Sequence, residues 1–212
     1  MAFVFDWYGN YRLYKVDLVV IYIQSVDLKV YRLMKYYKSD GLVQFRHSLR
    51  MPEKLLTLNY NPNAETTWNN QLINFNDCLY EFRESADFIA FPDWDELIVT
   101  EQMKPLANIF QEIVNEIPNA ASFLFERTTG SMQKLENMKS HKIYDIWRNS
   151  VRYHTIVLLP SRKLVVRPML TDGLQIHLAA AWKQGFVQYI IPLNKTFMIH
   201  ARDHTEWKEI SG

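Results

Sequence analysis

One cysteine, Cys78, is all this chain carries, so an internal disulfide is excluded, and no Cys/His spacing suits a structural zinc ion. Glycine is scarce, six in 212 residues, and there is no repeat, low-complexity tract or evident linker. A long apolar run is also lacking. The best candidate, "DLVVIYIQS", has the length of a strand and falls well short of the ~18 residues that cross a bilayer. The opening "MAFVFDWYGNYR" has no basic start followed by an apolar stretch, so it does not read as a signal peptide. Nor does one sign of charge dominate: 24 Lys and Arg face 23 Asp and Glu, a net charge of +1. That balance gives no general attraction to nucleic acid or to a membrane surface. Taken alone, the chain reads as soluble.

What is present is an ordinary globular composition, 48% hydrophobic and 22% charged, with an aromatic content of 14%. This length suits a single domain with a real core, residues 1–212. Helix-spaced rings in "VFDWYGNYRLYK" precede the β-branched run 17–25, which reads as a strand. "VDLKVYRLMKYYKSDG" reads as a helix carrying Val30, Leu33, Met34 and Tyr37, with Asp27 as its cap and Gly41 as its terminator. A short strand, "LVQFRHS", and an Asn/Pro-rich loop follow. Next comes a helix striped by Trp68, Leu72, Phe75, Leu79 and Phe82. "MKPLANIFQEIVNEI" is another amphipathic helix, and "ASFLFERTT" and "KLVVRP" read as strands. Strands alternating with helices predict an α/β fold with a mainly parallel, mixed sheet flanked by helices.

The segment "DFIAFPDWDELIVT", residues 87–100, carries the chemistry. An apolar strand ends in Asp93, Asp95 and Glu96, whose mutual repulsion needs an offsetting charge. In open α/β sheets ligands bind beyond the carboxyl ends of strands. Alternate residues of an Asp-x-Asp turn can aim two carboxylates at one point, which suits a hard divalent cation such as Mn²⁺ or Mg²⁺. A solvated acidic turn is the competing reading. A helix-loop-helix calcium loop is excluded, since Leu97 and Ile98 stand where oxygen ligands and glycine belong. An aspartyl-nucleophile phosphatase stays open, although Leu97 replaces its usual Thr or Val and no convincing downstream lysine and acidic pair are found. A nucleotide-sugar transferase, whose metal neutralises a departing diphosphate, fits best.

The block "QLINFNDCLYEFRESADFIAFPDWDELIV" resembles the core of glycosyltransferase family 92, whose signature is an Asn-Asp-Cys helix followed by a strand ending in Asp-x-Asp-Glu. Asn76, Asp77, Cys78, Asp93, Asp95 and Glu96 match it directly. Weaker pieces agree in order: "DLVVIYIQS", "YYKSDGLVQF", "RKLVVRP" with His177 downstream, and His200 to Arg202. The resemblance implies a GT-A fold, a UDP-sugar donor (UDP-galactose), Mn²⁺ on the acidic motif, and inverting transfer to a glycan or glycoprotein hydroxyl. It also implies residence in the Golgi membrane system through an anchor and a first nucleotide-contacting strand. This chain is expected to begin after both. A catalytically degenerate, glycan-binding member of the same family is the non-enzymatic alternative.

Under that resemblance Asp95 is the first choice of metal ligand, with Asp93 supporting the metal or the donor ribose, and Glu96 orienting its neighbours or capping the turn. His200 could complete the metal shell or serve as a hydrogen-bonded core residue, and His177 has the same two readings. Arg202 could pair with diphosphate or with a neighbouring acid. Asp172 and Glu126 are the candidate bases, with Asp203 behind them. Trp182 and Trp207 read as packing rings or as sugar-stacking platforms. Cys78 reads as a buried small residue. Asn194-Lys195-Thr196 is the one N-x-[ST] acceptor, and its place in the strand-like run "FVQYIIPLNKTFMIHAR" favours an unmodified strand.

Overall fold

The computed structural model describes residues 11–49, 59–65, 70–100, 104–132, 151–158 and 161–201. Strands β1 (Val19–Ile23) and β2 (Val43–His47) run parallel, from Val19 opposite Val43 to Ile23 opposite His47, with helix α1 (Leu28–Ser39) between them. α1 begins where Asp27 accepts a hydrogen bond from the Lys29 backbone N–H at 2.8 Å. It stops where Gly41 adopts φ +80°, a left-handed conformation that a Cβ opposes. The predicted helix and its flanking strands are therefore present.

Among the described residues, two four-stranded sheets and a hairpin hold the other strands. The first sheet has the order β11 (Val187–Ile190), β5 (Ala120–Phe125), β8 (Lys163–Val166), β3 (Ile89–Ala90). The second has the order β4 (Glu96–Thr100), β12 (Thr196–Ala201), β6 (Arg127–Met132), β7 (Val151–Leu158). The hairpin joins β9 (Thr171–Leu174) to β10 (Ala179–Trp182).

The architecture is mixed α/β, as expected, but it is not mainly parallel. Parallel pairing joins β1 to β2, β5 to β11 and β6 to β12. The β3–β8, β5–β8, β4–β12, β6–β7 and β9–β10 pairs are antiparallel. The reason lies in the connections. A parallel neighbour needs a long crossover, whereas β3–β4, β5–β6 and β11–β12 are joined by a few residues. Such connectors move the chain sideways into the other sheet. It passes between the two four-stranded sheets at β3–β4, β4–β5 (through a helix), β5–β6, β7–β8 and β11–β12. At β5–β6 the passage is a single residue, Glu126, so "ASFLFERTT", expected as one strand, is two strands in different sheets.

The first sheet is covered on both faces, which explains why every residue of β5 and β8 is buried. Phe123, Phe125 and Val165 face a core shared with Ile98, Met198 and helix α3 (Leu106–Glu116). Leu106, Ile109, Phe110 and Ile113 give α3 its buried stripe. Phe110 lies 5.6 Å from Phe123 and 5.9 Å from Phe125, ring to ring. On the other face Leu124, Leu164 and Val166 pack with Leu79 of helix α2 (Gln71–Glu81) and with Leu174 and Ala179 of the hairpin. Of the stripe expected on α2, Leu79 is fully buried and Leu72 is exposed, while Trp68 lies outside the described residues.

Candidate functional site

The β3–β4 passage carries Asp93 and Asp95 in a turn, and Glu96 opens β4. Asp93 closes the turn on itself, its backbone N–H donating to Glu96 Oε2 at 2.8 Å. Glu96 is fully buried and faces two cations. Arg127 Nη2 approaches its Oε1 at 2.8 Å, and Lys163 Nζ lies 3.7 Å from its Oε2. Lys163, with no exposed surface, donates to Asp93 Oδ2 at 2.5 Å, and Gln71 Nε2 donates to Asp93 Oδ1 at 2.7 Å. The charge that offsets the acidic turn is thus supplied by the protein, from β6 and β8. Burial pushes the Glu96 carboxyl above its usual range, although Lys163 and Arg127 pull against that rise.

Asp95 is engaged differently. β4 and β12 are antiparallel with Glu96 opposite His200, so the next residue toward the turn, Asp95, meets the His200 ring. His200 Nε2 and Asp95 Oδ2 are 3.0 Å apart, and His200 is buried. The structure therefore brings Asp95 and His200 together as a carboxylate–imidazole pair and assigns Asp93 to Lys163. Among the described residues no group of three or more His, Cys, Asp or Glu is placed to hold a metal ion.

Glu126 lies at the β5–β6 passage, where Arg162 Nε and Nη2 donate to its Oε1 at 3.2 and 2.8 Å. Its backbone carbonyl accepts from the Met198 N–H at 2.9 Å, which ties the passage to β12. The Arg162 carbonyl in turn lies 3.0 Å from His177 Nδ1. His177 is half-buried, and its pKa falls below the ordinary value through burial first, then through the nearby Lys163 cation, with Arg127 and Asp93 also within electrostatic reach. His177 thus belongs to the same neighbourhood as the acidic turn. With a carbonyl fixing Nδ1–H, Nε2 is the ring atom left to accept a proton or a metal.

Asp172 belongs to another set of contacts. Its carboxylate accepts from Arg83 Nη2 at 2.6 Å, and its carbonyl accepts from the Tyr80 hydroxyl at 2.7 Å. Arg202, Asp203 and Trp207 lie outside the described residues. Trp182 sits on β10, 37% exposed.

The Asn-Asp-Cys segment of α2 turns out to be a brace. The Asn76 amide donates to the Leu174 carbonyl at 3.1 Å, and Asn76 Oδ1 accepts from the Leu174 N–H at 2.9 Å. One side chain thus imitates a rung of sheet pairing and fastens α2 to β9. Asp77 accepts from the Tyr22 hydroxyl at 2.6 Å, which fastens α2 to β1. Cys78 is half-buried, and burial pushes its thiol up to about 12, which makes it a poor nucleophile.

Gln71, Arg127, Arg162 and Lys163 escaped the sequence reading as members of the site. Lys163 had a signal: it opens the apolar run "KLVV", and a lysine drawn into a core is almost always paired with an acid.

Comparison with known proteins places the chain in a family. The sequence profile of glycosyltransferase family 92 matches residues 3–211. A Caenorhabditis elegans glycosyltransferase family 92 protein, F59C6.8, is 27% identical over 191 residues, covering 85% of this chain and 35% of that protein. A second, ZK381.2, is 24% identical over 158 residues, covering 74% of this chain and 31% of its own length. A third, F13G3.3, is 25% identical over 134 residues, covering 61% of this chain and 26% of its own length. The chain thus spans about a third or less of the curated relatives it matches. By the profile that covers almost all of it, this chain belongs to glycosyltransferase family 92.

Proposed function

We infer that the chain is the GT-A-like catalytic domain of a transferase that moves a hexose, galactose by family resemblance, from a UDP-sugar to a hydroxyl of a glycan or glycoprotein in the Golgi lumen. The observation that carries this reading is the Asp95–His200 pair, set at the end of the Asp-x-Asp turn in a chain of this family.

The donor set fits a hard divalent cation, Mn²⁺ or Mg²⁺, that takes its remaining ligands from diphosphate oxygens. Asp95 and His200 are the two side chains that would hold it. When bound, such an ion stabilises the negative charge that develops on the departing diphosphate. Asp93, immobilised by Lys163 and Gln71, is free of the ion's immediate shell and is suited to accept hydrogen bonds from the donor ribose. Arg162 presents a guanidinium at the rim, where it can pair with phosphate as well as with Glu126. Both carboxylates considered as the base are ion-paired, Glu126 with Arg162 and Asp172 with Arg83, and Glu126 is the better placed because it adjoins Arg127, which pairs with Glu96 of the acidic turn. In the transfer, the acceptor oxygen attacks the anomeric carbon, the bond to the diphosphate breaks, and the acceptor proton passes to the base.

A degenerate, glycan-binding member of the family is the second reading, favoured by the engagement of Asp93 with Lys163 in place of an ion. Calorimetric titration of UDP with and without Mn²⁺ separates the two. The transferase reading expects UDP binding that strengthens at least tenfold with Mn²⁺ and loses that gain in Asp95→Ala. Binding indifferent to Mn²⁺ would overturn it. Release of phosphate from an aryl phosphate would instead revive the phosphatase alternative.

A further inference from the structure

The strand-like run that held Asn194 in the sequence is broken in the structure. β11 ends at Ile190, β12 starts at Thr196, and Asn194 sits in the exposed turn between them. The turn is closed by hydrogen bonds from the Lys195 and Thr196 N–H groups to the Pro192 carbonyl at 2.9 and 3.4 Å. The two residues that follow the asparagine are anchored. Lys195 pairs with Glu116 of α3, and the buried Thr196 hydroxyl donates to the Val99 carbonyl at 2.7 Å. Asn194 is the one member of the Asn-Lys-Thr triplet that projects from the fold.

From this placement we propose that Asn194 carries an N-linked glycan, a modification that rests on the chain working in the secretory lumen. The step needs a lipid-linked diphospho-oligosaccharide as co-substrate. The Asn194 amide nitrogen forms a bond to the anomeric carbon of the oligosaccharide, that carbon's bond to the diphosphate oxygen breaks, and the amide loses one proton. Because Thr196 is buried in the finished fold, transfer takes place on the emerging chain, while its hydroxyl is still accessible to the transferring enzyme. Two features of the folded protein then accommodate the product. Asn194 is exposed, so a bulky hydrophilic group there displaces no packed side chain. The turn also lies at the end of β12 remote from His200. The four residue-to-residue steps from Thr196 to His200 span roughly 13 Å of strand, enough to keep the glycan clear of the Asp95–His200 pair.

The test is expression of the full chain behind a cleavable secretory leader in a eukaryotic cell, followed by peptide-N-glycosidase digestion and gel mobility. The expected result is one discrete downward mobility step on digestion. Asn194→Gln should already run at the digested position, while Thr196→Ser, which keeps both the acceptor triplet and the buried hydroxyl, should retain the step. Leader cleavage, read from the N-terminus of the recovered protein, verifies that the chain entered the lumen. Leader-cleaved protein with no glycosidase-sensitive step overturns the proposal, and so does a step that persists in Asn194→Gln. UDP and Mn²⁺ titration of the Asn194→Gln protein should match the wild type, so the proposal can fail while the transferase reading stands, and the reverse.

Discussion

Acid–base pairs occur in two settings in this molecule, and the contrast between them is instructive. At the β3–β4 turn Lys163, Arg127 and Glu96 have at most 5% of their side chains exposed, and Asp93 reaches them from the rim. On the outer surface Arg12–Asp40, Lys104–Glu112 and Arg83–Asp172 pair at 3.2, 3.6 and 2.6 Å with much of each group in water. The chemistry is the same and the energetics are not. A surface pair gives up little hydration and gains little, whereas a buried cation has surrendered its water and depends on its partners. The interior pairs therefore act as a scaffold that fixes the acidic turn, and the surface pairs as local fastenings.

Removing the interior cation should have the largest effect. Lys163→Met leaves Glu96 buried with only Arg127 and releases Asp93 from its 2.5 Å contact, so a loss of about 3–5 kcal/mol in unfolding free energy is expected by chemical denaturation. A loss below about 1 kcal/mol would mean that the pairs at the turn are no different from those on the surface. His177 should show an intermediate effect, visible in its pH dependence. Its folded pKa is depressed, so the unfolded chain binds the proton more readily. Its contribution is then complete above the ordinary histidine value of about 6.5 and is lost as pH falls from there through the depressed folded value. Denaturation midpoints at pH 7.5 and 5.5 should differ less in His177→Gln than in the wild type, and an unchanged difference would mean that burial and Lys163 do not depress the His177 pKa. The smallest effect is expected for Arg83→Ala, within about 1 kcal/mol, because its partner Asp172 is 44% exposed.

Much of the frame could be read from residue patterns, and the site only in part. The cap at Asp27, the left-handed Gly41 and the apolar stripe of α3 are local signals, and each element they specify is present. The acidic turn was also legible, because three acids behind an apolar run are locally unusual. Its partners were not. Lys163 is 70 residues from Asp93 in the chain, and His200 is 105 from Asp95, and only the pairing of β4 with β12 and β8 with β5 and β3 brings them near. The expectation of a mainly parallel sheet failed for a related reason. "ASFLFERTT" contains no glycine or proline to announce that the chain changes sheets at Glu126, and the change is set by tertiary packing. The role of Asn76 was equally hidden, since its match to Leu174 is made across 98 residues.

The one-residue passage at Glu126 has a consequence for how this domain can vary in length. Strand side chains alternate, so inserting or deleting one residue between Phe125 and Arg127 would reverse every side chain of β6 and turn the Arg127 guanidinium away from Glu96. The exposed bend at residues 192–195 carries no such phase and can absorb extra residues at modest entropic cost. Descendants of this chain should therefore lengthen at the bend and keep an unvarying count at the passage.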